Sequence, residues 1–191
     1  MPMAITLTLT HRVTDEELLE LSKRNPGYQF ESTAKGELVV TPTGMEGGRI
    51  SAEVLLQLGL WNRHTHAGVV FDSSTGFRLP DSALFAPDAS WVRLDRWNAL
   101  TPEQRKKFGP LCPDAVFEIR SESNTLAELG EKARAYVSNG ARIAVLIDPD
   151  ARAVEVYRPG REAETHRDPA TLALDPELPR FVLDLKPIFA S

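Results

Sequence analysis

The sequence predicts an α/β (α+β) chain whose mixed sheet is built in the order helix, strand, strand, strand, helix, strand. Three observations lead there. Residues Met45–Arg63 place Ile50, Val54, Leu55, Leu58 and Trp61 on one stripe at helical spacing. Apolar runs bounded by proline, glycine or aspartate recur at 68–79, 84–92, 113–120 and 142–148, short enough to be strands. A capped helix, Leu126–Asn139, separates the last two of them, as a crossover between parallel strands requires.

Taken in order, Thr14-x-x-Glu17 forms a capping box and opens a helix that stops before Asn25-Pro26-Gly27. Tyr28–Glu31 and Glu37–Thr41 read as a hairpin turning at Lys35-Gly36. Beyond the long helix, Gly68–Leu79 and Leu84–Val92 read as two strands joined at Pro80-Asp81-Ser82. Thr101-Pro102-Glu103-Gln104 opens a short helix, with threonine as cap and proline at the first helical position. Pro113–Arg120 is a strongly apolar strand. The next helix has Thr125-x-x-Glu128 at its start and Gly140 at its end. Arg142–Asp148 is a strand that Pro149-Asp150 turns into Ala153–Tyr157, and Phe181–Leu185 is a last strand-like run. Without repeats or low-complexity linkers, one domain over residues 1–191 is expected, with its core at about 45–158 and the amino-terminal helix, hairpin and carboxy-terminal strands added to it.

Composition excludes several classes. At 42% hydrophobic and 26% charged, the 191 residues match a globular chain and argue against disorder, collagen or a coiled coil. No apolar run approaches the ~20 residues of a membrane-spanning helix. Met1–Leu9 alternates apolar residues with threonine and lacks the basic and long apolar parts of a secretion signal. A single cysteine, Cys112, leaves no disulfide framework, so a cytoplasmic location is expected and the thiol reads as a quiet core residue. The net charge of −5 rules out a uniformly basic coat. Arg105-Lys106-Lys107, with Arg93 and Arg96, is the one notable basic cluster, read as a solvated face or as a phosphate contact. His64-Thr65-His66 suits a helix C-terminus better than a zinc site.

Chemistry is suggested by acids placed where a core strand calls for apolar side chains. Glu118 stands inside Ala115-Val116-Phe117-Glu118-Ile119, and Asp88 stands between Leu84-Phe85-Ala86 and Ala89-Ser90-Trp91-Val92. An ionised carboxylate in such surroundings costs several kcal/mol or more unless a cation or hydrogen bonds compensate it. Two such acids held together repel, and a divalent cation would relieve the repulsion through oxygen ligands. Asp114 is the competing partner for Glu118. Four residues along a strand is about 13 Å, too far to share one ion. Arg120, two residues past Glu118, falls on the same strand face. Lys132 lies at the border of the stripe Leu126, Leu129, Ala133, Tyr136 and Val137, four residues after Glu128. An ion pair with Glu128 and an ammonium carried to the sheet edge are both open. Glu46 falls in the first turn of the long helix, where the macrodipole favours acids.

Pro87-Asp88 followed by Glu118-Ile119-Arg120 resembles the Pro-Asp…(Asp/Glu)-x-Lys signature of restriction-endonuclease-like nucleases, whose core order is the one read here. Within that superfamily the chain is most similar to the Uma family, through Gly44-Met45-Glu46-Gly47-Gly48-Arg49-Ile50, Pro87-Asp88, Asp114–Ile119, Lys132-Ala133-Arg134-Ala135-Tyr136, Gly140 and Leu146-Ile147-Asp148-Pro149. The resemblance implies a restriction-endonuclease-like fold and a magnesium- (or manganese-) dependent endonuclease acting on DNA. It implies Asp88 and Glu118 as metal ligands, Glu46 as an outer ligand, and Lys132 as a catalytic lysine moved from the strand to the following helix. It also makes a homodimer plausible, since double-strand cutters often pair two sites. Two departures stand out. Ser121-Glu122 replaces the Ser-Pro usual in relatives, and Arg120 occupies the superfamily lysine position. An arginine stays charged and cannot take a proton, though it can stabilise a developing phosphorane. The alternative expectation is a catalytically inactive member of the same fold that binds nucleic acid or protein.

Overall fold

The computed structural model describes residues 3–190. Met1 and Pro2, part of the amino-terminal stretch read above, and Ser191 lie outside the described residues. In chain order the elements are β1 (Ile5–Leu7), α1 (Asp15–Arg24), β2 (Tyr28–Ser32), β3 (Leu38–Pro42), α2 (Met45–Thr65), β4 (Gly68–Asp72), β5 (Phe77–Arg78), β6 (Leu84–Phe85) and β7 (Ala89–Arg93). They continue as α3 (Leu94–Ala99), α4 (Pro102–Arg105), β8 (Ala115–Ile119), α5 (Leu126–Ser138), β9 (Ile143–Asp148), β10 (Ala153–Tyr157) and β11 (Glu164–Arg167). The chain ends with β12 (Thr171–Ala173), β13 (Val182–Asp184) and α6 (Lys186–Phe189). The three capping boxes form as read: Thr14 with Glu17, Thr101 with Gln104 and Thr125 with Glu128.

A six-stranded sheet in the order β11-β10-β9-β8-β7-β4 carries the main core. Its one parallel pair, β8 with β9, is the pair that α5 connects; the others are antiparallel. Helices cover both faces, which is why β8 and β9 read as near-continuous apolar runs. Helix α2 sets Ile50, Val54 and Leu58 against Ala89, Trp91, Ala115, Phe117 and Val145 on one face. Helix α5 sets Leu129, Ala133 and Tyr136 against Val92, Val116, Ala144 and Leu146 on the other. The carboxy-terminal segment closes over the α2 side. There the Trp61 indole donates to Pro179 O, and Arg49 donates to Pro187 O.

A second, five-stranded sheet follows the order β1-β3-β2-β6-β5. Its apolar face packs on α1 through Leu18, Leu38 and Leu84, with Phe30 and Val40 beside them. Here the structure departs from the two long strands read at 68–79 and 84–92. Each breaks in two, with β4 and β7 pairing in the large sheet and β5 and β6 in the small one. Asp72 ends β4 by accepting the Ser74 amide, and Pro87, lacking an N–H, interrupts the passage from β6 to β7. Asp88 therefore sits in a joint between two sheets rather than inside a strand. Strand β1 falls in the alternating stretch Met1–Leu9, which is not assigned to a strand above, and β11, β12, α3 and α6 had no periodic signal of their own. Most of them are three to six residues long and owe their form to neighbours.

Candidate active site

The joint at Pro87-Asp88 opens onto a cleft of about 510 Å³ between the two sheets, a size suited to a small-molecule or single-unit ligand. Its walls come from the polar face of the hairpin (Gln29, Glu31, Val39, Thr41), the first turns of α2, the end of β8 and the inner side of α5. Strand alternation explains the hairpin wall, since odd-numbered residues face the cleft while Phe30, Leu38 and Val40 face α1.

Asp88 and Glu118 both line this cleft. Extending the β7–β8 register by one step beyond Ala89 opposite Phe117 sets Asp88 across from Glu118. The Ile119 amide donates to Asp88 Oδ2 at 2.8 Å. The Ser51 hydroxyl lies 3.2 Å from Asp88 Oδ1 and 2.9 Å from Gly47 O, its single proton shared between two acceptors. Glu118 is only 4% exposed. Its Oε1 accepts the Tyr136 hydroxyl at 2.9 Å and the Lys132 ammonium at 2.9 Å. Lys132 in turn meets Glu31 Oε1 at 2.8 Å. Burial raises the pKa of Glu118 to about 8; Lys132 opposes the rise, while Asp88 and Glu31 add to it. Burial also raises Asp88, against the Ile119 amide and the Lys132 charge, which lower it. Lys132 is raised as well. Burial alone would lower it, but the Glu118 and Glu31 carboxylates hold it protonated.

The structure thus brings together Asp88, Glu118 and Lys132. The alternative pairing of Lys132 with Glu128 is not made, because Glu128 caps the helix by accepting from Thr125. Two other residues are not brought to the cleft. Arg120 donates to Asp148 Oδ2 at 2.9 Å, because the buried Asp148 at the end of the adjacent strand needs a counter-charge and lies nearer than Glu118's oxygens. Glu46 pairs with Arg49 at 2.6 Å and is 65% exposed, pointing away from the cleft that its neighbours Gly47 and Gly48 line. Asp114 is also elsewhere, buried and paired with Arg96 at 3.1 Å. In the basic cluster, Arg93 pairs with Asp95 and Arg105 stacks over Trp97.

Three residues at the site were not read from the sequence: Glu31, Ser51 and Tyr136's hydroxyl. Glu31 alternates with apolar neighbours as a solvated face would, Ser51 is an ordinary helix serine, and Tyr136 belongs to an apolar stripe. Their shared signal is weak, a polar group on an element's inner side, and it gains meaning only when the elements converge.

The model of a family described as putative restriction endonuclease, Uma2, matches residues 15–186. This chain belongs to the Uma2 family. The match spans the large sheet, the small sheet except β1, and Glu31, Ser51, Asp88, Glu118, Lys132 and Tyr136 at the cleft. Among solved structures, this Uma2 chain is similar to a crystal structure described as a putative nuclease belonging to DUF820 from Anabaena variabilis ATCC 29413. The TM-score is 0.73 at 19% identity, over 93% of this chain and 97% of that one. At that identity the likeness establishes the fold, the mixed α/β architecture expected from the sequence. No curated protein matches the sequence. Among the described residues, no helix is long and apolar enough to cross a membrane.

Proposed function

We propose that this Uma2 chain is a nuclease that hydrolyses phosphodiester bonds of DNA with the aid of Mg²⁺ (or Mn²⁺). The observation that supports it is the meeting of Asp88 from the joint, Glu118 from β8 and Lys132 from α5 in one cleft. Among the described residues no three His, Cys, Asp or Glu side chains form a group able to hold a metal ion. Magnesium is commonly bound by one or two carboxylates and completed by waters and substrate phosphate rather than by an all-protein cage, so Asp88 and Glu118 would be enough protein ligands. The donor set fits: Asp88 offers oxygens oriented by Ser51 and Ile119, and Glu118 keeps Oε2 clear of the two bonds on Oε1. Bound there, the ion would supply Lewis acidity toward a phosphoryl oxygen and a water of lowered pKa.

The protein's own part follows from the contacts. Tyr136 fixes the rotamer of Glu118 through Oε1. Lys132 presents a positive charge at the carboxylate pair, where charge develops on a phosphate undergoing attack. Arg120, committed to Asp148, has no part in this reading, and neither does Glu46. A silent binding module is the second reading, and it draws support from the cleft's lining, where carboxylates outnumber the two lysines, Lys35 and Lys132.

The test is cleavage of single- and double-stranded DNA with magnesium or manganese. Asp88→Ala and Glu118→Ala should each abolish it while the variants remain folded. Activity that survives both substitutions would sink the assignment. Calorimetric titration separates the second reading: no magnesium or manganese binding in the millimolar range, by a folded protein that still captures DNA, favours the module.

A further inference from the structure

We propose that Glu31 is a positioning residue of this site, holding the Lys132 ammonium in the cleft independently of Glu118. The inference rests on the nuclease reading for its consequence, but not for its geometry. Glu31 lies on β2, in the small sheet, and is only 6% exposed. A buried carboxylate costs several kcal/mol unless it is compensated, and an apolar residue of similar size would stabilise the sheet at least as well. The compensation it receives is specific. A single oxygen, Oε1, accepts the Ala86 amide at 2.6 Å and meets the Lys132 ammonium at 2.8 Å. Ala86 stands two residues before Asp88, so this one oxygen ties the lysine to the segment that carries the aspartate.

Lys132 reaches the spot from α5 with its ammonium 5.5 Å from the centre of the Phe85 ring and 5.9 Å from that of Tyr136. Its two carboxylate contacts are not equivalent. Glu118 belongs to the pair that faces a ligand, and any ligand that engages it weakens its hold on the lysine. Glu31 lines the same cleft, but its Oε1 is tied to the Ala86 amide, and its hold on the lysine does not pass through Glu118. With Glu118 engaged, Glu31 remains as the anchor that keeps the ammonium beside the reacting phosphate. Partners that orient a catalytic group in this way typically matter by about 10–100-fold.

The experiment has two arms. The first observes the Lys132 side-chain ammonium by NMR in ¹⁵N-lysine-labelled protein, assigned by its loss in Lys132→Met, without metal or DNA. A slowly exchanging signal should persist in Glu118→Gln and broaden or vanish in Glu31→Gln; the reverse pattern overturns the proposal. The second arm is a kinetic double-mutant cycle on DNA. Glu31→Gln should lower kcat about ten-fold or more with KM nearly unchanged, and should add less than about two-fold in a Lys132→Met background. Glu31→Asp, which keeps the charge but not the shape, should retain more activity than Glu31→Gln; a role in packing alone gives the opposite order. Losses that simply multiply across the cycle overturn the proposal. A wild-type protein inert toward DNA sinks the nuclease reading, and the NMR arm then decides the role of Glu31 by itself.

Discussion

At the scale of single residues, the chemistry of this chain is set by where a carboxylate finds its counter-charge. Glu118 lies on β8 and Arg120 just past its end, yet Arg120 turns to Asp148, and the charge that reaches Glu118 comes from Lys132 on α5. The pKa of Glu118 makes this testable. Its folded value, about 8, lies above the unfolded 4.5, so the native state binds the proton more tightly. Glu118's contribution to stability is then fully present below the unfolded value and is lost as pH rises through about 8. In metal-free thermal melts from about pH 5 to pH 9, the wild type should lose stability relative to Glu118→Gln. A difference between the two that stays flat with pH would contradict the burial argument.

At the scale of elements, glycines separate packing from open space. In α2, a Cβ at Gly47 or Gly48 would meet nothing within 4 Å. Alanine at either position should stabilise the helix by about 0.5–1 kcal/mol, read as a higher melting temperature, because glycine loses more backbone entropy. Gly68 at the start of β4 is the opposite case. A Cβ there would come within 2.2 Å of Val92 O and 2.5 Å of the Trp91 ring. Gly68→Ala should therefore destabilise by about 1–3 kcal/mol or more, as overpacking does, and denaturant melts will show it. The elements with a strong local signal were legible in the sequence: the three capped helices, the α2 stripe and the β8–α5–β9 crossover. The joint at Pro87-Asp88 was not legible there. Whether an apolar run continues in one sheet or crosses into another is decided by the partners available, not by its own periodicity.

At the scale of the whole molecule, the cleft exists because the small sheet turns its polar face toward the end of the large one. Cys112 reports on the integrity of the large-sheet side of that arrangement. It is buried, its thiol donates to Tyr136 O at 3.4 Å, and burial pushes its pKa up to about 12. Only the thiolate reacts readily, so Cys112 should resist disulfide-exchange reagents in the native state. Its labelling should rise with denaturant in step with global unfolding followed by circular dichroism. Rapid native-state labelling would mean that α5 lifts from the sheet well below the unfolding transition.

The sequence by itself determined the class of the fold and singled out Asp88 and Glu118 as acids costly in a core, while for Lys132 it left a pairing with Glu128 open. Caps, stripes and apolar runs are local, and an acid inside an apolar run, such as Glu118, is visible within it, whereas Glu31, buried between alternating neighbours, is not. Tertiary structure alone decided which charges meet. It brought Glu31 and Tyr136 to the site and Arg120 to Asp148, because buried polar groups pair with whatever side chains the packed elements hold within about 3 Å, however far apart they lie along the chain. Glu46 and Arg49, three residues apart on an exposed helix face, are the local exception.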